Sequence, residues 1–499
     1  MNPSIDISAL KRVYVKPRIV AFIPAHNEEN SIRDCLEGLA DQDLPPNVEL
    51  DVFVIADNCT DKTEDEALKA GHDLDLRVIV IKTKGNKQRK VGALNSAWKS
   101  IYGDVMELYE NKLTPFQEKY KPAVKAILGM DADSRLAPHS LLHMWSGLMS
   151  ARNIGGVMAK YTMRMPQKKS ALTRDDPYYE QKLRSGKYGG PIQRWWTHQQ
   201  KQDMASWILN LQYHGGSTYV LGGQATLFRP EALENIVNEN NLDGPWQNDS
   251  DVEDMLLTWQ LQKLKWKTLI SPDARCFVDA MRSYHTYRQQ RNKWRGGTVD
   301  LLTNKDIKIK TRHYGMLWRS QMKTFIDLFI RILFFVLLTV SISTDQFVWS
   351  WLWIIPVALA SILNFVLALK TPMSRPIDIF LGGLVISTEI YLWVNFLTFI
   401  QVWLDKLSPY KKDGWAQQYQ AENGTTRSKL WQGLGLFALF MTALVLSAIH
   451  YREYLTSESF QELTAPYLEF GWLILTYLTI FASSVMVYKI WTLRSRHKA

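Results

Sequence analysis

The sequence predicts a Rossmann-like α/β domain followed by an α-helical transmembrane domain. Three observations lead there. Short apolar runs alternate with helical-period segments through the first half. Polar clusters follow four of those runs, at the carboxyl ends of the expected strands, where open α/β sheets bind their ligands. In the last third, apolar stretches reach the roughly 20 residues that a helix needs to cross a bilayer.

The elements follow in order. Arg18-Ile19-Val20-Ala21-Phe22-Ile23-Pro24 reads as a buried strand ended by proline, and Asn27, Asn30 or Ser31 can cap the helix carrying Ile32, Leu36 and Leu39. Asp51 to Ala56 is the second strand, before Asp57-Asn58-Cys59-Thr60-Asp61 and a Glu- and Ala-rich helix. Arg77 to Lys82 is the third, followed by the basic loop Lys84 to Lys90 and a helix opening at Gly92. Tyr102 to Lys125 reads as a polar, helical insertion, and Ala126 to Met130 as the fourth strand. Strands alternating with helices imply a parallel sheet.

Composition narrows the class. The 499 residues suit two or three domains, 46% hydrophobic content excludes a disordered chain, and the net charge is +10. Cys35, Cys59 and Cys276 are scattered, so neither a disulfide framework nor a cysteine metal cluster is expected. Met1 to Val20 holds no long apolar run, so no cleavable signal peptide is expected and the first half should stay cytosolic. No compact basic motif supports nucleic acid; lipid surface and nucleotide phosphates account better for the charge.

Asp131-Ala132-Asp133 is the chemical centre of this reading. On an extended segment residues i and i+2 point to one side, so both carboxylates can face one cation. That pairing suits Mg2+ or Mn2+ bridging to a pyrophosphate. Taken alone, Asp-x-Asp reads first as a solvated turn. His26-Asn27-Glu28 can equally cap a helix, Asp57 can open a turn, and Lys84 to Lys90 can be a solvated charge run. Together they offer acceptors for a base and ribose, then cations for a diphosphate. Further on, Asp249 to Leu257 opens a helix with acidic residues in its first turn, which the helix dipole favours. The functional alternative is a carboxylate that takes a proton from an attacking hydroxyl.

Pro24-Ala25-His26-Asn27-Glu28, Asp57 to Asp61, Lys90-Val91-Gly92-Ala93-Leu94-Asn95 and Asp131-Ala132-Asp133 resemble successive motifs of family 2 glycosyltransferases. The resemblance implies the GT-A fold, a nucleotide-sugar-binding mixed sheet. It implies that Ala25, Asn27, Glu28 and Asp57 surround the nucleotide, Lys90 lies near the diphosphate, Asp133 holds the metal, and Asp131 sits between metal, nucleotide and donor sugar. Leu221 to Arg229 resembles the family's glycine-rich stretch, placing Gly222, Gly223 and Gln224 against the acceptor. Val252-Glu253-Asp254 is similar to the family's Thr-Glu-Asp, making Asp254 the general base with Glu253 beside it. Gln290-Arg291-Asn292-Lys293-Trp294 resembles the Gln-x-x-Arg-Trp of the processive, membrane-integrated branch, the hyaluronan, cellulose and chitin synthase type, with Lys293 for Arg. That implies diphosphate-side roles for Gln290, Arg291 and Lys293 and a stacking face on Trp294 for an acceptor sugar. The earlier Gln193-Arg194-Trp195-Trp196 imitates this motif out of order.

The expected domains are 1–300 (GT-A), 301–322 (amphipathic interface segment) and 323–499 (membrane). Spans are expected near 324–343, 347–369, 430–449 and 470–488, and Asp327 and Arg331, four apart, can pair. Residues 377–404 can span or lie in the interface; the positive-inside rule favours an interface helix, with 405–429 as a loop near the active site. The expected activity is inverting hexosyl transfer from a nucleotide sugar, UDP-linked by family habit, to a growing polysaccharide exported through the membrane helices. A lipid acceptor, as in ceramide glucosyltransferase, is the alternative; a non-catalytic membrane scaffold is the rival of another class. Expected partners are the donor, a carbohydrate or lipid-linked acceptor, membrane lipids and, with no spans expected before the catalytic domain, a second copy of the chain. The expected location is a bacterial-type plasma membrane.

Overall fold

The structure, a computed structural model, describes residues 16–103, 120–165, 167–168, 188–213, 217–303, 313–347, 350–371, 374–408, 416–418, 420, 439, 442–443 and 445–495. It divides into two units: Met1–Arg282 with Gly296–His313, and Ser283–Arg295 with Tyr314–Ala499. Thus Ser283–Arg295 groups with the helical half, inside the expected catalytic domain.

The first unit is the expected α/β half. β1 (Arg18–Ala25), α1 (Ile32–Ala40), β2 (Glu49–Asp57), α2 (Thr63–Asp73), β3 (Val78–Thr83), α3 (Arg89–Tyr102) and β4 (Val124–Gly129) alternate along the chain. There follow β5 (Arg135–Leu136), α4 (Ser140–Met149), β6 (Ile154–Arg164), β7 (Gln167–Lys168), β8 (Tyr188–Gly189), α5 (Pro191–Tyr213), β9 (Thr226–Phe228), α6 (Pro230–Asn240), α7 (Glu253–Lys263), β10 (Lys267–Asp279) and α8 (Tyr284–Thr303), which crosses between the units. Branched and aromatic runs fill the buried pleats: Ile19, Val20, Phe22 and Ile23 of β1 are wholly enclosed, as are Val52, Val54 and Ile55 of β2.

The main sheet has the order β3-β2-β1-β4-β9-β6-β10-β5. β1 to β4 pair in parallel, as the alternation predicts. β9 runs antiparallel to both β4 and β6, so the sheet is mixed, as the resemblance implies, while the four strands read from the alternation are parallel. β9 follows β6 only after α5 and the glycine-rich segment, so no helix-crossover rule governs its direction. The expected helix over Tyr102 to Lys125 lies mostly outside the described residues; its end, Lys121–Ala123, is a single 3-10 turn leading into β4.

Two clamps hold this unit together. The Arg18 guanidinium, 2% exposed, donates to Asp51 at 2.7 Å, and the Tyr120 hydroxyl donates to the other Asp51 oxygen at 2.6 Å. Arg229 ends the stretch that resembles the family's glycine-rich motif. It donates to the carbonyls of Leu148, Ala151 and Ile154 and closes the α4–β6 turn, a structural duty.

In the second unit α9 (Tyr314–Ser343), α10 (Ile354–Lys370), α11 (Pro376–Gly383), α12 (Val385–Leu407), α13 (Arg452–Leu455) and α14 (Glu458–Ser495) are described. Among the described residues three helices are long and apolar enough to cross a membrane: Tyr314–Ser343, Val385–Leu407 and Glu458–Tyr488. Ile354–Lys370, expected as a span, is shorter. The expected span 430–449 and loop 405–429 lie largely outside the described residues. α9 and α14 pack through Leu337, Leu468 and Leu475, and Trp353 stacks on Trp472 at 4.3 Å. Arg331 does not pair with the Asp327 carboxylate: it donates to that residue's carbonyl and forks onto both oxygens of Glu389, at 3.0 and 2.8 Å. The bidentate geometry of another helix's carboxylate outcompetes the local pair.

Asp51 is fully buried, and without Arg18 it keeps Tyr120 and the more distant Arg77, at 3.6 Å. Arg18→Met is expected to destabilise the α/β unit by roughly 1–3 kcal/mol, read as a lower midpoint in chemical denaturation of the purified protein.

Candidate active site

The carboxyl edge of β1, β2, β3 and β4 gathers the expected residues. Each of the first three loops turns through a left-handed residue that is not glycine: Asn27 (φ 59°), Asn58 (φ 50°) and Arg89 (φ 54°). Such backbone is tolerated by Asn and costly for Arg, and it clusters at ligand sites. The loops are laced together. Asn27 Oδ1 accepts from the Thr60 N–H at 2.8 Å, the Glu28 N–H donates to Thr63 at 2.7 Å, and the Cys59 thiol donates to the Ala25 carbonyl at 3.3 Å. His26 Nδ1 lies 2.6 Å from the Asp57 carbonyl oxygen. Asp57 Oδ1 accepts from Thr83, from Asn86 at 2.8 Å and from Asn58 at 3.2 Å. Thr83 and Asn86 are site-organising residues that the sequence reading passed over; their place directly after β3, on the same edge, was the available signal.

β4 ends at Gly129, before the two aspartates. Asp131 to Ser134 is a turn closed by a hydrogen bond from the Ser134 N–H to the Asp131 carbonyl, at 3.1 Å. The strand-periodicity argument for a shared face is therefore corrected: Asp131 and Asp133 stand on a turn, not on an extended segment. Asp133 is exposed and Asp131 half-buried.

Asp131 is met by Lys90, from the first turn of α3. The ammonium lies 2.5 Å from Asp131 Oδ1 and 3.3 Å from Glu253 Oε1. Although burial opposes its charge, Asp131 and Glu253 hold its pKa above the ordinary lysine value. Asp254 lies beside this trio on α7. Its carboxylate accepts from the Met255 N–H at 2.7 Å and the Gly223 N–H at 3.3 Å. Burial, then the neighbouring Glu253 charge, push its pKa up to about 6, against the pull of Lys90. A carboxylate so placed is a base near neutrality.

The glycine-rich segment is pinned above it. The Leu221 N–H donates to Thr258, whose hydroxyl donates to the Asp254 carbonyl. A methyl group on Gly223 would fall on the Lys90 ammonium, and one on Gly222 on the Tyr161 hydroxyl. Gln224 contributes its carbonyl to the Cys276 thiol at 3.6 Å. A small cavity of about 20 Å3 lies between Lys90, Gly222, Gly223, Glu253 and Asp254, close to one water volume. A larger one, about 980 Å3, is walled by the basic loop, α3 and residues 241–249. The two cavities share Trp246.

Ala25, Asn27, Glu28, Asp57, Lys90, Asp131, Asp133, Gly222, Gly223, Gln224, Glu253 and Asp254 all belong to the first unit. Gln290, Arg291, Lys293 and Trp294 lie on the part of α8 that groups with the second. There the Arg291 guanidinium sits over the rings of Tyr287 (4.9 Å) and Trp294 (5.1 Å). Among the described residues no cluster of three or more His, Cys, Asp or Glu side chains is arranged for a metal. Asp131 and Asp133 nevertheless fit Mg2+ or Mn2+: both are hard oxygen donors, and Asp131 already faces a cation, Lys90. One or two carboxylates with substrate phosphates are the usual protein share of a Mg2+ site.

A mixed GT-A-like sheet with acidic and basic groups at its carboxyl edge defines a class, and comparison with known proteins names it. Residues 17–297 match the family described as "Glycosyltransferase like family 2", and the chain belongs to that family. It is 27% identical over 159 residues to "Probable glycosyltransferase YdaM" of Bacillus subtilis (strain 168), covering 32% of each chain. It is 22% identical over 327 residues to a beta-monoglucosyldiacylglycerol synthase of Nostoc sp. (strain PCC 7120 / SAG 25.82 / UTEX 2576), covering 62% of this chain and 57% of that one. The chain thus spans less than two thirds of the length of these relatives. Among solved structures, the mannosyltransferase PcManGT from Pyrobaculum calidifontis, in complex with GDP-Man and Mn2+, is 14% identical with a TM-score of 0.39, covering 90% of this chain and 93% of that one.

The raised pKa of Asp254 sets an acid limit. Below about 6 the carboxylate is protonated and cannot take a proton; above it the base is free. Turnover, kcat/KM against pH, is expected to fall tenfold per unit on the acid side of an apparent pKa near that value.

Proposed function

We propose that the protein is a membrane-embedded inverting glycosyltransferase that takes a sugar from a nucleotide sugar in the cytosol. The observation that carries this is Asp254: a half-buried carboxylate with its pKa raised to about 6, fixed by two backbone N–H groups beside the Lys90–Asp131–Glu253 cluster. Asp254 receives the proton of the acceptor hydroxyl as its oxygen attacks the anomeric carbon. The bond to the nucleotide diphosphate breaks on the opposite face, so one displacement inverts the centre. Lys90 stands where it can turn from Asp131 to a diphosphate oxygen, and Glu253 keeps that ammonium at hand. Asp57, organised by Thr83, Asn86 and Asn58, holds the nucleotide end with Ala25, Asn27 and Glu28. Asp131 and Asp133 would hold Mg2+ or Mn2+, which when bound neutralises the diphosphate charge.

Two acceptor readings follow. Gln290 to Trp294, with Lys293 where the processive pattern has Arg, supports a growing polysaccharide. Similarity to a protein named as a diacylglycerol glucosylating enzyme favours a second reading, one sugar on a lipid. α12 is read as an interface helix. Its polar face bonds to α8: Tyr391 and Asn395 to Tyr287, Gln401 to Arg288, Thr398 and Asn395 to Arg295. A partner helix carrying Arg288, Arg291, Lys293 and Arg295 favours the boundary over the hydrocarbon.

Asp254→Asn keeps the shape and removes the base, so transfer is expected to fall by roughly 10²–10⁴; unchanged turnover would remove Asp254 from that role. Purified protein incubated with labelled UDP- and GDP-sugars, with and without diacylglycerol, separates the acceptors. A long, lipid-free product supports the polymer, whereas a single sugar extracted with lipid sinks it.

A further inference from the structure

Arg164 ends β6 and belongs to none of the motifs of the resemblance. Its three nitrogens each meet a different element. Nε donates to Asp279, its cross-strand partner at the end of β10, at 2.7 Å. Nη1 donates to Asp34 of α1, and Nη2 to the Asp133 carbonyl at 3.2 Å. Asp34 also accepts from Arg135, two residues beyond Asp133, at 2.8 Å. One carboxylate of α1 is thus linked to the acidic turn twice, through Arg135 along the chain and through Arg164 across the sheet edge. All of these residues belong to the first unit.

The peptide between Asp133 and Ser134 is held at both of its polar groups. Its N–H donates to the Asp131 carbonyl at 3.1 Å, and its carbonyl accepts from Arg164. Because the peptide is planar, holding both groups fixes its plane, and with it the direction in which the Asp133 carboxylate leaves the turn. A guanidinium suits this work: its donors form a rigid planar fork, which an ammonium lacks. Arg164 is not a spare cation for a diphosphate, since two carboxylates already sit on it.

We propose that Arg164 is a positioning residue for the divalent metal: by pinning the Asp133–Ser134 peptide it sets the Asp133 carboxylate for the ion. The role rests on the metal reading of Asp131 and Asp133 and adds to it a residue that acts through another. Its charge works in the opposite sense. Removing Arg164 takes a cation away from the turn and leaves Asp34 and Asp279 without it, so a purely electrostatic Arg164 would let Mn2+ bind more tightly once it is gone. A positioning Arg164 makes binding weaker.

The test uses the full chain in detergent with UDP and, separately, GDP, and reads bound Mn2+ from the EPR signal of the free ion, without turnover. Binding is measured on the folded fraction recovered by gel filtration. Arg164→Lys keeps the charge but offers one nitrogen where three are used, and its Mn2+ dissociation constant is expected to rise about tenfold. Arg164→Met is expected to weaken binding as well. An unchanged constant in Arg164→Lys, or a tighter one in Arg164→Met, overturns the role. Arg33→Met, which breaks another ion pair of α1, that with Asp73, is the control. It is expected to leave the constant unchanged, and an equal rise there overturns the role too. Failure of the parent reading looks different: if the unsubstituted protein binds no Mn2+ with either nucleotide, the metal reading of Asp131 and Asp133 falls and this role with it. If it binds and the Arg164 variants match it, this role alone falls.

Discussion

Lys90 is the constraint on which the site depends. One ammonium meets a carboxylate from the turn after β4 and another from the first turn of α7. Without it, Asp131, Glu253 and Asp254 would be like charges in a poorly hydrated space, and protonation would relieve the strain. With it, the cluster gains a cation, which pulls the Asp254 pKa down against burial and the Glu253 charge. The same cation explains the backbone around it. Arg89, the first residue of α3, is left-handed, and the next residue, Lys90, reaches Asp131 beyond β4. Gly223 must lack a side chain because the ammonium fills that space. Segments far apart in sequence are thus made to agree on one charge.

The strands and the order of the motifs were legible in the sequence for a simple reason. Buried parallel strands are continuous apolar runs, and their carboxyl ends must turn polar where a ligand lies. Arg18 to Pro24, Asp51 to Ala56 and Ala126 to Met130 could be read almost to the residue. Glu253 and Asp254 were visible as acids opening a helix, with the choice between dipole and chemistry left to the resemblance. The turn at Asp131 was not legible, because Asp-x-Asp has the same letters on a strand and on a turn. Nor was the direction of β9: three apolar residues carry no sign of which way they run. Arg229 matched a motif and proved to be a clamp on three carbonyls, since sequence gives a residue's charge and not what it faces.

The helical half repeats the lesson with larger consequences. Hydropathy ranks α12 with the spanning helices, because averaging over a window erases the face on which a polar residue lies. On that helix Tyr391, Asn395 and Thr398 recur at helical spacing, and Gln401 continues the stripe. All four bond to α8, and the cationic side chains of Arg288 and Arg295 take part. The Arg331–Glu389 fork engages the other side of α12, because Glu389 stands roughly half a turn round the helix from Tyr391, Asn395 and Thr398. Removing one partner would leave the other charge unpaired, so the pair helps to fix the rotation of α12. The boundary position proposed for α12 bears on the acceptor. A helix at the membrane surface can offer lipid on one side and the motif-bearing helix on the other, a geometry open to a lipid headgroup and to a polymer entering a channel alike. The acceptor therefore has to be read from the product, not from the membrane helices.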